Sequence, residues 1–114
     1  MAQEKSLQTL ILDDLRSLRK YCEVFKIIKT SDNGEPDIFF TTALTKGVFV
    51  ETKAPKKDPR KLQWVKIKKL NTCGTKAYAC RTWEEWYKLK ECLGLLDMGN
   101  IIKAHEQQQM LLSQ

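Results

Sequence analysis

Apolar residues repeat at helical spacing near the start of the chain and at strand spacing soon after it. The first repeat takes alternating steps of four and three residues, which predicts an amphipathic helix over residues 3–22. Its apolar face comprises Leu7, Ile11, Leu15, Leu18 and Cys22. Residues 23–30 then predict a strand, and the β-rich runs 37–42 and 47–54 predict a hairpin, since only about four residues separate them.

Capping residues divide the second half of the chain into elements. Asp58 as N-cap and Pro59 as first helical residue predict a helix that continues to about Cys73, where Gly74 supplies the stop. A short strand is expected over residues 75–81. Because a strand–helix–strand crossover joins parallel strands, this strand is expected to lie parallel to the second strand of the hairpin.

Two helices complete the predicted order. The capping box Thr-Trp-Glu-Glu at 82–85 starts a helix that ends near Gly94, and a last helix is expected after Gly99-Asn100. The fold class predicted is α/β, with a mixed sheet of about four strands flanked by helices. We expect one domain over residues 1–94 and, over residues 95–114, a C-terminal helical extension of that domain.

Composition and charge narrow the class of protein. Lys and Arg number 20 against 14 Asp and Glu, and the net charge of +6 favours an anionic partner. No apolar run approaches the roughly 20 residues of a membrane span, and the N-terminus lacks the apolar core of a signal peptide. We therefore expect a soluble cytoplasmic protein with no membrane partner.

Cysteine and histidine offer little chemistry. The 4 cysteines show no C-x-x-C spacing, and the 1 histidine, His105, lies in a Gln-rich tail. A zinc site and a Ser–His or Cys–His catalytic pair are therefore not expected.

The hairpin brings candidate catalytic residues together. If it is symmetric about Leu44, residues whose numbers add up to 88 face each other, and Asp37 lies opposite Glu51. Lys53, two residues further, then lies on the same face as Glu51. A slip of one residue in register would separate the two carboxylates.

Two opposed carboxylates repel each other, and a divalent cation offsets that repulsion. Hard oxygen ligands from Asp37, Glu51 and the backbone carbonyl of Thr52 suit Mg²⁺, for which Mn²⁺ can substitute. Lys53 would place an attacking water or stabilise charge on a phosphodiester. The alternative is that Glu51 and Lys53 form an exposed ion pair worth less than ~1 kcal/mol.

Two further residues are candidates by helical spacing. Gln63 shares a helix face with Ile67 and Leu70, so its amide is expected near Lys53, where it would orient that lysine or a substrate phosphate. The alternative is a partly exposed helix residue. Extending the first helix backward places Glu4 on its inward face, either as a further acid of the site or as a complement to the helix dipole.

These motifs resemble a known nuclease group. Gly34-Glu35-Pro36-Asp37 is similar to the G-x-P-D strand of the VRR-NUC group of PD-(D/E)XK nucleases, and Glu51-Thr52-Lys53-Ala54-Pro55 to its E-x-K-A-P strand. Leu62-Gln63, Leu70 and Gly74 resemble the helix that follows. The likeness covers roughly residues 4–93. It implies a restriction-endonuclease-like core and a metal-dependent nuclease that uses Asp37, Glu51 and Lys53, with Gln63 in support.

Substrate and assembly follow from charge and from the resemblance. Basic residues surround the second helix, and we expect Lys56, Lys57, Arg60, Lys61 and Lys66 to hold DNA phosphates. Small stand-alone proteins of the resembled group look like phage or bacterial enzymes that cut branched DNA, including four-way (Holliday) junctions. Two symmetric nicks call for a homodimer, and the tail is expected to form its interface through Leu95, Leu96, Met98, Ile101, Ile102, Met110, Leu111 and Leu112.

Three hypotheses about function remain open on the sequence. The first is a Mg²⁺-dependent, structure-selective DNA endonuclease, and the second is a related nuclease that acts on flaps, nicks or ends in repair or restriction. The third is a non-catalytic nucleic-acid-binding module. The presence of Asp37, Glu51 and Lys53 together argues against the third hypothesis.

Overall fold

The chain folds as a four-stranded sheet with helices packed on it. The structure, a computed structural model, describes residues 5–28, 36–53 and 60–113, apart from the side chain of Ile101. In chain order the elements are α1 Leu7–Arg16, β1 Cys22–Lys26, β2 Ile38–Thr42, β3 Val48–Thr52, α2 Lys61–Thr72, β4 Lys76–Cys80, α3 Trp83–Cys92 and α4 Met98–Leu112. Short 3₁₀ helices at Arg19–Tyr21 and Leu95–Asp97 precede β1 and α4.

The sheet is mixed, as predicted. Its strand order is β1-β2-β3-β4, in which β2 is antiparallel to both β1 and β3, and β3 is parallel to β4. The hairpin pairs Ile38 with Val50 and Phe40 with Val48. These residue numbers add up to 88, so the register inferred from the sequence is confirmed.

Alternation along the strands sends one set of side chains into the core. Alternate residues of β2 and β3 are buried against α1, α3 and the first turns of α4 because successive strand residues point to opposite faces. The cluster consists of Ile11, Leu12, Leu15, Ile38, Phe40, Val48, Val50, Cys80, Trp86, Leu89, Leu95, Met98 and Ile102. Ile67 of α2 and Ala77 of β4 are buried outside this cluster.

The first helix is shorter than its apolar pattern predicts. Ser6 caps it, with Oγ accepting the Thr9 backbone N–H at 3.1 Å, and it ends at Arg16 rather than at residue 22. Arg19 has a φ of 53°, a left-handed conformation that cannot continue a helix. Cys22 instead pairs with Thr42 as the first residue of β1, so strand pairing overrides the local periodicity.

Two other helix starts differ from the prediction. Arg60 is the N-cap of α2, with φ −63° and ψ 157°, so this helix begins at Lys61. The prediction had placed its first residue at Pro59. The predicted cap residues 58–59 lie outside the described residues. The stop is confirmed, since Gly74 takes a φ of 86°. The last helix, α4, begins at Met98, before the predicted Gly99-Asn100, and Met98 is fully buried in the core.

The C-terminal extension packs on the same core as the rest of the chain. Leu95, Met98 and Ile102 are buried, which removes them from the predicted dimer interface. The apolar residues at the end of α4 are exposed and remain available for such an interface. The side chain of Ile101 lies outside the described part of the chain. Within the described residues, no helix combines the length and the apolar character that a membrane crossing requires.

Candidate active site

Two carboxylates are buried where β2 begins and β3 ends. Asp37 directly precedes β2 and is 7% exposed, while Glu51, within β3, is 1% exposed. The observed hairpin register, continued by one residue, places Asp37 opposite Glu51. Burial of a carboxylate is unfavourable unless other groups hydrogen-bond to it or carry the opposite charge, so the contacts of both residues decide what this site can do.

Asp37 is held by the last residue of β3. Its Oδ2 accepts the Thr52 backbone N–H at 3.1 Å and also the Thr52 hydroxyl. These two donors fix the orientation of the Asp37 carboxylate. The sequence pointed to the Thr52 carbonyl alone, whereas the structure adds two contacts made by the N–H and the side chain of the same residue.

Glu51 is held by an amide and a lysine. Gln63 Nε2 donates to Glu51 Oε1 at 3.0 Å, and Lys53 Nζ lies 3.7 Å from the same oxygen. The structure therefore places Gln63 on Glu51, rather than on Lys53 or a substrate phosphate as predicted. Gln63 is 1% exposed, so its interpretation as a partly exposed helix residue is wrong.

The Glu51–Lys53 ion pair is largely removed from water. The side chains are 2% and 22% exposed, so the alternative of a solvent-exposed pair is also wrong. Lys53 continues the parallel ladder, because its backbone N–H donates to the Cys80 carbonyl at 2.9 Å. A buried ion pair contributes little net stability, since desolvation offsets most of the attraction, and such pairs are candidates for functional sites.

The oxygen atoms present are of the type that binds magnesium. Among the described residues, no group of three or more His, Cys, Asp and Glu side chains is placed to hold a metal. Mg²⁺, however, is commonly bound by one or two carboxylates and keeps several waters, so Asp37, Glu51 and the Thr52 carbonyl form a suitable set. The predicted fourth ligand, Glu4, lies outside the described residues.

A groove opens beside the carboxylates, at the carboxyl ends of β3 and β4. It has a volume of about 550 Å³ and is lined by Lys5, Ser6, Leu7, Gln8, Leu10, Thr52, Lys53, Arg81, Thr82 and Trp83. Residues at the N-termini of α1 and α3 line it together with the end of β3, where Thr52 pairs with Cys80 across the parallel strands. Sequence reasoning missed Lys5, Arg81 and Trp83. The capping box directly after β4 was a signal that could have placed Arg81 and Trp83 at this end of the sheet, but it carries no information about Lys5.

Three of the five predicted DNA-binding residues lie in the described part of the chain, at the start of α2. Arg60 and Lys61 are exposed, and Lys66 is partly buried one turn further on. Gln63 connects this turn to the site because its Oε1 accepts the Arg60 backbone N–H at 2.8 Å while its Nε2 donates to Glu51. Lys56 and Lys57 lie outside the described residues.

Comparison with known proteins bears on the fold. No protein-family model matches the chain, and no curated protein matches it. A solved structure described as "VRR_NUC domain" superposes with a TM-score of 0.62 and 17% sequence identity, covering 76% of this chain and 97% of that one. The chain thus has an α/β fold with a mixed four-stranded sheet flanked by helices. That fold is the one of the VRR_NUC domain, as the sequence resemblance implied.

Proposed function

We propose that the chain is a metal-dependent endonuclease of the VRR-NUC group that hydrolyses phosphodiester bonds in DNA. The observation that carries this proposal is the environment of the buried Glu51 carboxylate. It accepts a hydrogen bond from the Gln63 amide and forms an ion pair with Lys53, and the second buried carboxylate, Asp37, lies opposite it in the hairpin. Buried acids with a nearby cation are typical of sites where charge must be neutralised during a reaction.

Each residue has a distinct task in this reaction. Asp37 and Glu51, with the Thr52 carbonyl, would hold Mg²⁺, for which Mn²⁺ can substitute. A metal ion bound by these residues would supply Lewis-acid polarisation of the phosphate and a more acidic bound water. Lys53 positions the attacking water or balances the charge that develops on the phosphate. Gln63 and Thr52 fix the orientations of Glu51 and Asp37 through their hydrogen bonds.

The described basic residues of α2 supply the contacts to the DNA backbone. Arg60, Lys61 and Lys66 lie on the first turns of the helix that also carries Gln63. Phosphate contacts of this kind position a nucleic acid without reading its sequence. Recognition would therefore depend on the shape of the DNA and on salt concentration.

We propose branched DNA as the substrate and a homodimer as the active form, with four-way junctions as the first candidate. A twofold dimer places two sites symmetrically, as paired nicks require. Its interface would use the exposed end of α4, where Met110, Leu111 and Leu112 are 66%, 69% and 72% exposed. Flaps, nicks and ends are the alternative substrates. The enzyme would act in the cytoplasm of a bacterial cell, including one infected by phage.

Cleavage assays test this proposal directly. Duplex, flap and four-way-junction DNA would be incubated with the protein in Mg²⁺ or in EDTA. We expect cleavage only with the metal, and a loss of about 100-fold or more in Glu51→Gln and Lys53→Met. The matched controls Glu91→Gln and Lys88→Met change exposed residues of α3 and should cut normally.

Two outcomes would reject the proposal in different ways. If Glu51→Gln and Lys53→Met cut as well as the wild type, the site is wrong. If the wild type binds DNA and cuts none of the three substrates, the chain is a non-catalytic binding module.

A further inference from the structure

The groove between the N-termini of α1 and α3 has properties beyond those that hydrolysis requires. Its volume of about 550 Å³ lies within the range of roughly 300–1,000 Å³ that small-ligand pockets occupy. Its lining includes the apolar side chains of Leu7, Leu10 and Trp83. Thr52 and Lys53 also line it, so the groove adjoins the proposed catalytic residues.

The charge of the groove favours an anionic occupant. Lys5, Lys53 and Arg81 line it, and no Asp or Glu is among the described residues that do. Lys5 pairs with Asp13 at 3.1 Å and Arg81 with Glu85 at 3.2 Å, but both acids lie outside the lining. The Lys5–Asp13 pair is solvent-exposed and therefore worth little, and the Arg81 side chain remains 42% exposed in its pair with Glu85, so a phosphate can approach both cations.

Trp83 gives this basic groove an aromatic surface. The side chain is 42% exposed at the first position of α3, although the other tryptophan of the same helix, Trp86, is completely buried. Exposed aromatic rings beside cations are the features that hold single-stranded nucleic acid, because any base can stack on the ring while the cations contact the backbone. A base inside a continuous duplex has both faces covered and cannot stack in this way.

We propose that this groove holds one unpaired nucleotide next to the scissile phosphate, with its base stacked on Trp83 and its phosphates near Lys5 and Arg81. The inference rests on the proposed nuclease function and specifies the substrate class. The preferred DNA has a nucleotide free to leave the helix at the cut, as at a branch or a flap, and continuous duplex is a poor substrate. Trp83 is then a specificity-determining residue.

Binding without cleavage isolates the role of the groove. The full-length protein would be titrated in EDTA against two labelled DNAs of equal length, one a continuous duplex and one with unpaired nucleotides at a branch. Trp83→Ala should weaken binding of the branched DNA by about 5- to 160-fold, the range for loss of one base–aromatic stack, and leave duplex binding unchanged. Trp83→Phe should retain most of the preference.

Two controls separate stacking from general effects. Tyr87→Ala removes an aromatic ring of similar exposure, 50%, one turn further along α3 and outside the groove lining, and should alter neither affinity. Trp83→Leu keeps an apolar side chain without a π-face and should lose the preference. If circular dichroism shows that Trp83→Ala does not fold, the comparison of Trp83→Leu with Trp83→Phe shows whether the preference for branched DNA depends on stacking. Fluorescence quenching of 2-aminopurine at the unpaired position should occur with Phe and not with Leu.

The outcomes distinguish this inference from the proposed function. Equal binding of both DNAs by the wild type, or an unchanged preference in Trp83→Leu, would overturn the groove assignment even if the enzyme cuts. If the Trp83 effect on binding is found but the wild type cuts no DNA in Mg²⁺, the groove assignment stands and the nuclease function fails.

Discussion

Gln63 donates a hydrogen bond from Nε2 to Oε1 of the buried Glu51 at a distance of 3.0 Å. The other end of the same amide accepts the backbone N–H of Arg60 at 2.8 Å. One side chain thus connects the N-terminus of α2 to the carboxylate at the end of β3. Its position therefore couples the orientation of a candidate metal ligand to the helix that carries the basic residues.

Removal of this amide should lower the stability of the fold. Gln63→Met keeps the size of the side chain but removes the Nε2 donor to Glu51. Since hydrogen bonds to charged groups contribute about 1.5–3 kcal/mol, we expect the free energy of unfolding to fall by that amount. Urea denaturation at pH 7 measures the change. The same substitution at the exposed Gln108 should have no measurable effect, and an equal loss in both variants would contradict the role given to Gln63.

A second buried interaction joins α1 to α3. Asp14 Oδ2 accepts Trp86 Nε1–H at 2.8 Å and lies 2.8 Å from Lys90 Nζ. Asp14→Ala leaves the indole N–H without this acceptor, and we expect a loss of about 1–3 kcal/mol in the free energy of unfolding. Asp13→Ala, which removes only the exposed pair with Lys5, should cost less than about 1 kcal/mol. Thermal and urea denaturation of both variants provide the comparison.

The four cysteines should differ in reactivity. Burial, and secondarily the negative charge of Glu85, raises the pKa of the Cys80 thiol from 9.0 to about 12. The thiolate is the reactive form, so a raised pKa lowers the reactive fraction at pH 8. Ellman's reagent should label the exposed Cys73 and Cys92 in the native protein, and Cys80 only after unfolding. Cys73→Ala should reduce the native count by one and Cys80→Ala should not.

The same pKa shift predicts how stability changes at high pH. Between pH 9 and about 12 the unfolded Cys80 thiol loses its proton before the folded one. The folded state then binds more protons, so stability falls as the pH rises through this interval. Cys80→Ala should show a smaller fall between pH 8 and pH 10 in urea denaturation than the wild type. An identical pH dependence in both proteins would contradict the assignment.

Salt dependence should report the contacts made by α2. Each phosphate contact contributes about 0.9 to the slope of log affinity against log salt concentration for duplex DNA. Lys61→Gln, at the exposed start of α2, should reduce this slope by about one. Lys103→Gln changes an equally exposed lysine on α4 and should leave the slope unaltered. The slopes of both variants would be measured by DNA titrations between 50 and 200 mM salt, roughly the range where such effects are large.

The exposed end of α4 should mediate self-association. Leu111→Asp places a charge in the apolar group Met110, Leu111 and Leu112, and we expect it to convert a dimer into a monomer. Leu44→Asp, at a similarly apolar exposed position in the hairpin loop, should leave the mass unchanged. Sedimentation at micromolar concentration decides the question. A monomeric wild type would contradict the proposed dimer.

Local sequence patterns predicted much of the fold and part of the site. The hairpin register was predictable because a strand repeats every two residues and burial tolerates no slip. The same count placed Asp37 opposite Glu51, with Lys53 nearby. Helix ends were less predictable. The apolar stripe of the first helix continued past Arg16, yet the pairing of Cys22 with Thr42 determined where the helix ended.

The sequence by itself determined the α/β order, the parallel pair of strands and the candidate set Asp37, Glu51 and Lys53, because each depends on periodicity or on short-range spacing. Tertiary structure decided what those residues contact. Gln63 reaches Glu51 rather than Lys53, and Trp83 lines a groove with Lys5, residues that lie 78 positions apart in the chain. Such contacts arise only when helices pack at the end of a sheet, and no local pattern specifies the distance or direction of that packing.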